Sequence, residues 1–482
     1  MNIKMILKSL GIVLVVEAIC MIPSLLVSAI YGDKDFMALV YSILTCFLFG
    51  FLMYRIKADN KNFYARDGFA FVALSWITVS LFGSLPFVFS GAIPSFIDAF
   101  FETSSGFTTT GSTILKQIEG MPMGVLFWRH FIIWMGGMGV LVLTLAVLPS
   151  VGASFFHVMK AESTGPSTEK LVPKLGQTAK ILYTIYIVMT AILVSALLFS
   201  GMSPYDALVH AFSTAGTGGF SSRNLSVGAY GNVFIEVIIT VFMFLFGVNF
   251  SLYFQLIKGN IRGFFKNQEF RFYLGTVLIA ILLITADLSL NGLFSVGESV
   301  RYSSFQVSSI ITTTGFSTRD FNLWPVFSKI ILVVLMFIGA SAGSTGGGMK
   351  CIRFVLMFKI VKREIMNIRH PRAVYTVKID GKSVDNGVLT NVMAFFFVYI
   401  IVFVSAVILV SLDGFDLVTT VTSVAAVISN VGPGLGDVGP MGNFSAFSGF
   451  SKILLSFCMI AGRLEIFPML VLFSPSSFKK SI

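Results

Sequence analysis

ITTTGFSTRD, residues 311–320, sets three threonines and Gly315 between two long apolar stretches. A hydroxyl-rich turn is unremarkable in water, so its reading depends on the solvent around it. The chain has 482 residues, of which 55% are hydrophobic and 12% charged, with a mean hydropathy of +0.88. That is too little polar surface for a water-soluble domain and places the chain in the membrane class. The 44 glycines agree, because small residues let membrane helices pack closely. Cys20, Cys46, Cys351 and Cys458 lie far apart, at no spacing that suggests a metal site or a disulfide framework.

Apolar runs of about 20 residues, the length that crosses a bilayer, are expected at 9–30, 36–54, 69–91, 124–148, 181–201, 232–257, 272–290, 326–349, 388–411 and 450–473. The first run lacks a small-residue cleavage site and reads as a retained helix. The net charge of +11 could suggest a nucleic-acid partner in a soluble protein. Here the Lys and Arg distribution explains it. With the N terminus inside, 25 of the 34 fall on inner connections, nine of them between 350 and 382. Positive charge collects on the cytoplasmic side, so both termini are expected there.

The turn that ends in Gly315 has three counterparts. SFIDAFFETSSGFTTTGST (95–113), SPYDALVHAFSTAGTGGFSSRN (203–224), GESVRYSSFQVSSIITTTGFSTRD (297–320) and GFDLVTTVTSVAAVISNVGPGLGD (414–437) each join a semi-apolar stretch to a small-residue turn. Their glycines, Gly111, Gly219, Gly315 and Gly432, are separated by 108, 96 and 117 residues. This is an internal repeat of a span, a short outer helix, a polar turn and a second span. The expected organisation is an all-α membrane protein: two N-terminal helices in 1–60, repeats at 69–149, 178–258, 270–350 and 386–475, and a basic cytoplasmic segment at 351–385.

An irregular turn facing lipid leaves backbone groups unpaired at several kcal/mol each, so such turns persist at membrane depth only inside protein or beside a watery cavity. Four of them imply one shared cavity around a pseudo-fourfold axis. The short helices should enter from outside and point their partially negative C-terminal ends at it, which favours a cation. TTTG (108–111 and 312–315), GTGG (216–219) and SNVG (429–432) supply carbonyl and hydroxyl oxygens, as the backbone rings of potassium filters do.

GFTTTGST, STAGTGGFS, ITTTGFSTRDFN and SNVGPGLGDVGP resemble the four pore-loop motifs of the Trk/Ktr/HKT superfamily of potassium transporters. WRHFIIWMGGMGVLVL (128–143), AGSTGGGMK (342–350) and AGRLEIFP (461–468) resemble it too. The two extra N-terminal spans favour the Trk type over the shorter Ktr type. The resemblance implies potassium uptake across a bacterial inner membrane, in a homodimer with one pore per protomer. It also implies a cytosolic nucleotide-binding partner of TrkA type and no cofactor beyond the transported ion. By motif, the filter residues are Thr108, Thr109, Thr110, Gly111, Thr217, Gly218, Gly219, Thr312, Thr313, Thr314, Gly315, Asn430, Val431 and Gly432. Each repeat offers one filter glycine where TVGYG has two, so fewer ion sites and looser rejection of sodium are expected.

GASAGSTGGG (339–348) interrupts the eighth span. It reads as close helix packing or, by the resemblance, as an intramembrane gate made of Gly343, Ser344, Thr345, Gly346, Gly347 and Gly348, with Lys350 following. Arg463 is an intramembrane charge, hence a functional candidate. It either pairs with Glu465 or snorkels to the inner surface, or it holds the gate loop near the axis through loop carbonyls. Arg129 is expected to pair with Glu102 or with a pore-helix carbonyl, Asp98 and Asp206 to cap their short helices, and Arg223 and Arg319 to form outer salt bridges. Few titratable groups line the path, and His210 is the only histidine in a pore-helix stretch. Channel-like conduction is thus preferred, with a proton-coupled symporter and a potassium/sodium permease as alternatives. No paired-carboxylate or HxxxD pattern points to a membrane enzyme.

Overall fold

The computed structural model describes residues 1–57, 64–139 and 175–473. The expected end of repeat 1 (140–149), the connection 150–174 that follows it and the last residues of the chain (474–482) lie outside the described residues. Among the described residues the fold is mostly helical, with one short hairpin, β1 (Lys378–Ile379) and β2 (Lys382–Ser383). Six helices among the described residues are long and apolar enough to cross a membrane, or seven if one bent pair counts as a single span.

The N-terminal span runs through α1 (Ile3–Cys20) and α2 (Ile22–Tyr31), interrupted at Met21 just before Pro23, whose ring cannot continue the hydrogen-bond ladder. It packs on α3 (Phe36–Tyr54) where Gly11 and Gly50 bring the backbones together: a Cβ on Gly11 would stand 2.6 Å from Gly50 O. The connection at 32–35 clamps this hairpin to the first repeat. Asp33 and Asp35 accept Met123 N (2.6 Å) and Val125 N (2.7 Å) at the positive end of α7 (Met123–Gly137).

Within the expected repeats the helices run as follows. The first contains α4 (Ala65–Gly83), α5 (Leu85–Phe89), the short α6 (Phe96–Phe107) and α7. The second contains α8 (Leu175–Phe199), α9 (Pro204–Gly216), α10 (Val233–Phe246) and α11 (Phe250–Ile257). After the linking α12 (Ile261–Lys266) come α13 (Gln268–Leu290), α14 (Val296–Ile311) and α15 (Val326–Ile338), then the amphipathic α16 (Cys351–Arg369) and the hairpin. The fourth repeat contains α17 (Asn386–Val410), α18 (Leu417–Ile428), α19 (Gly449–Arg463) and α20 (Phe467–Phe473).

Besides the interruptions at Met21 and Ser84, three expected spans bend or stop outright. The 232–257 run bends by 91° between α10 and α11, where Asn249 caps α11 by accepting Ser251 N. The 326–349 run stops at Ile338, where Gly339 takes a φ of +69°. The 450–473 run breaks at Glu465 and Ile466, both at positive φ. In each case hydrophobicity continues through a residue that the backbone does not. The apolar core surrounds a polar centre. One cluster joins the N-terminal hairpin to repeats 1 and 4, and two others belong largely to repeats 2 and 3.

Candidate functional site

The short helices α6, α9, α14 and α18 end in the middle of the fold. Each begins at a capped end: Ser95, Ser203 and Ser295 accept the backbone N–H three residues on, and Asp416 accepts Val418 N and Thr419 N. Asp98 and Asp206 are therefore not the caps expected. They stand three residues past the serine, where a carboxylate still favours the positive helix end. Lys452 Nζ contacts Asp98 at 2.6 Å, and Ser222 Oγ donates to Asp206 at 2.6 Å.

Beyond each helix the backbone repeats one conformation. Thr109, Thr217, Thr313 and Asn430 have φ between 54° and 60°, and two residues later Gly111, Gly219, Gly315 and Gly432 have φ from 60° to 100°. Four non-glycine residues in the left-handed region cost about 1–3 kcal/mol each. Their recurrence in every repeat marks a demand of the site.

The four segments close a ring. A Cβ on Gly111 would strike Gly218 O, one on Gly219 would strike Thr314 O, one on Gly315 would strike Val431 O, and one on Gly432 would lie 2.7 Å from Thr110 O. Each glycine thus abuts the carbonyl of the next repeat, and the fourth returns to the first. Only a residue without a side chain fits at this approach. Thr109, Thr110, Thr217, Gly218, Thr313, Thr314, Asn430 and Val431 are all buried, and among the described residues none of their eight carbonyls accepts a hydrogen bond. More than nine in ten buried backbone groups are normally paired. Eight unpaired oxygens on four converging segments form a ready-made ligand set for a hard cation.

The threonine hydroxyls were expected to add oxygens to the path, but they bond to protein. Thr108 Oγ1 donates to Ser104 O (2.6 Å) and contacts Thr110 Oγ1 (2.7 Å); Thr312 bonds in the same way with Ser308 O and Thr314. Thr217 Oγ1 donates to Gly216 O, and Asn430 Nδ2 donates to Thr110 Oγ1 and Met459 O at 2.9 Å each. The hydroxyls brace the turns and leave the carbonyls open.

Behind the ring, Arg129 Nε contacts Glu102 Oε1 at 2.7 Å, the expected pair, and the guanidinium lies 3.5 Å from the Phe220 ring centre. Glu102 also accepts Thr113 Oγ1 and Ile114 N, both at 2.9 Å, so one buried carboxylate holds the chain just past Gly111. His210 bonds Asp206 O and Ser221 Oγ at 2.9 Å each, and so sits in the wall. Arg223 reaches Asp206 at 3.6 Å as expected, whereas Arg319 donates to the Tyr302 hydroxyl at 3.0 Å instead of pairing with a carboxylate. Outside the ring lies a mouth of about 150 Å³, with Lys116 and Arg223 among its lining residues and no Asp or Glu.

On the opposite side of the ring, residues 339–350 form a folded loop. A Cβ on Gly346 would lie 2.9 Å from Thr312 O, and one on Gly347 would lie 2.7 Å from Ser429 O, so the loop crosses directly under two segments of the ring. Gly347 N donates to Thr313 Oγ1 at 2.6 Å, and Lys350 Nζ closes the loop on Gly346 O. Gly343 packs on Asn249, and Ser344 donates to Ser341 O at 2.6 Å, while Gly348 lies against Gly339. Arg463 donates to Thr345 O (2.7 Å), Thr109 Oγ1 (3.2 Å), Gly136 O (2.6 Å) and Gly137 O (2.8 Å). It therefore ties the loop to the ring and to the end of α7. Glu465, the alternative partner, pairs with Arg353. The carbonyls of Gly136 and Gly137 were not singled out from sequence, although the GG of WMGGMG was their signal.

A family model described as TrkH, cation transport protein, matches residues 36–482. The chain is 37% identical to the Trk system potassium uptake protein TrkH of Halomonas elongata and 35% identical to that of Escherichia coli, each over the full length of both chains. It also matches the crystal structure of the potassium transporter TrkH from Vibrio parahaemolyticus, with a TM-score of 0.88 and 34% identity, covering 99% of this chain and 100% of that one. A multi-pass helical fold, a ring of unpaired carbonyls and these full-length matches lead to one conclusion: the chain belongs to the TrkH family of cation transport proteins.

Proposed function

We propose that this protein takes potassium into a bacterial cell across the inner membrane, with both ends of the chain in the cytoplasm. The observation that carries the reading is the closed ring, in which each filter glycine abuts the next repeat's carbonyl and eight buried carbonyls lack donors. Such oxygens stand in for the hydration shell of a monovalent ion. The C-terminal ends of four short helices aimed at the centre add a favourable field.

In this reading the loop 339–350 is the gate. It lies in the ion's way, and the guanidinium of Arg463 puts a positive charge beside it. The gate opens under a cytosolic nucleotide-binding subunit of TrkA type, and the protein works as a homodimer with one pore per protomer. With one glycine per repeat, the filter admits some sodium. The test is flux of potassium, rubidium and sodium in liposomes holding only this protein. Uptake of potassium and rubidium above sodium supports the reading, whereas no cation flux with or without a cytosolic subunit refutes it. Running the assay at a fixed potassium gradient while varying the proton gradient separates conduction from symport.

A further inference from the structure

The loop under the filter is held from the inner side by a residue outside the filter and the loop. Glu269, 5% exposed near the start of α13, accepts Ala342 N at 2.7 Å and Ile352 N at 3.1 Å on the same oxygen, Oε1. One donor lies in the loop and the other in the first turn of α16, so a single carboxylate spans both ends of the loop. Ile352 N is one of the amides at a helix start that have no partner within the helix. The two residues before Glu269 face outward to the hairpin. Asn267 Nδ2 donates to Asp380 Oδ2 at 2.8 Å, and Gln268 N donates to Asp380 Oδ1 at 2.9 Å. Asp380 and Gly381 form the exposed two-residue turn between β1 and β2, at φ 48° and 81°. This is the Asp-Gly pattern of a tight hairpin. Three consecutive residues, 267–269, thus join an exposed turn to the loop. A cavity of about 420 Å³ opens beside this junction, bordered by Asn249, Glu269, Ala342, Ile352 and Asp380. It gives a released loop somewhere to go.

We propose that Glu269 is a positioning residue that pins the intramembrane loop beneath the filter, and that the hairpin Lys378–Ser383 is the handle that releases it. The inference rests on the reading of 339–350 as the gate. A ligand or subunit that draws the hairpin off α13 shifts residues 267–269, loosens the Glu269 contacts and lets the loop move into the cavity.

The test uses the full-length protein alone in liposomes and reads unstimulated rubidium uptake. Glu269→Ala raises uptake about tenfold or more, equivalent to about 1.4 kcal/mol, because two amides lose a charged acceptor. Glu269→Gln keeps an oxygen at the same place and raises uptake less. Asp380→Ala, an exposed change far from the filter, raises it severalfold. The potassium-to-sodium ratio stays at the wild-type value in all three, since the ring is untouched. Joining Asn267→Cys to Asp380→Cys by a disulfide restores the low wild-type uptake and reductant reverses it, a readout that a purely structural role would not move. Wild-type uptake in folded Glu269→Ala and Asp380→Ala, alongside raised uptake in a loop-shortened variant, overturns the pin and leaves the gate reading standing. No change in the loop-shortened variant either removes both. A rise accompanied by lost discrimination also overturns the inference, because the filter would then have changed. Should Glu269→Ala fail to fold, Asp380→Ala decides alone.

Discussion

Gly432→Ala isolates the close approach that builds the ring. At φ +100° an alanine is strained by about 1–3 kcal/mol. The same strain applies at Gly91, at φ +74° in an outer turn, where a Cβ meets nothing within 4 Å. Both sites hold a positive φ, and they differ most in what the methyl touches. At Gly432 it would stand 2.7 Å from Thr110 O, where ordinary contact begins at 3.4 Å. The carbonyl must therefore retreat by about 0.7 Å, more than the ~0.5 Å tolerance of a preorganised binding site. The other three glycines stand closer still to their carbonyls, so the displaced oxygen cannot be matched by an easy shift of the ring. Both variants should lose a similar amount of thermal stability in detergent. Gly432→Ala should also lose most potassium uptake in liposomes and most discrimination against sodium, while Gly91→Ala keeps both. Equal uptake and equal selectivity in the two variants would refute the reasoning, because the contact would then have no bearing on ion passage.

Three further outcomes follow from named contacts. Arg463→Ala removes a charge that donates to the loop, the filter and α7; at about 8 Å and an effective dielectric of about 20 it repels a cation by about 2 kcal/mol, so unstimulated uptake should rise by roughly thirtyfold. Glu102→Ala leaves buried Arg129 without its carboxylate, which should cost about 3–5 kcal/mol and lower the melting temperature well beyond a change at an exposed position. Lys116→Gln removes a positive charge from a mouth that has no Asp or Glu in its lining. At about 10 Å in water that charge is worth about 0.4 kcal/mol, so potassium uptake should rise by up to about twofold at low ionic strength. The gain should fade as the Debye length drops toward about 10 Å near 0.1 M salt.

The ring of turns was legible in the sequence because its motif is written four times. A glycine at nearly constant spacing, after an apolar stretch too short to span, has few physical meanings inside a membrane. The left-handed residues two places earlier were not legible. Threonine at 109, 217 and 313 reads as a source of oxygen, and no local pattern says that its backbone bears the strain while its hydroxyl turns to a neighbour. The broken helices were hidden for a different reason. FMFLFGVNFSLYF (242–254) is mostly apolar, so hydropathy carries straight across the 91° bend, and only Gly247, Asn249 and Ser251 hint at it. Glu269 was overlooked because a carboxylate near a helix start ordinarily serves its own helix. Its partners lie 73 and 83 residues away, at a distance that only the fold closes.

The measurement that bears most directly on the ring is the anomalous scattering of rubidium in crystals of this protein. The account places a peak on the central axis, encircled by the carbonyls of Thr110, Gly218, Thr314 and Val431. Well-ordered filter segments with no rubidium among those oxygens, or a peak held elsewhere by side chains, would contradict it.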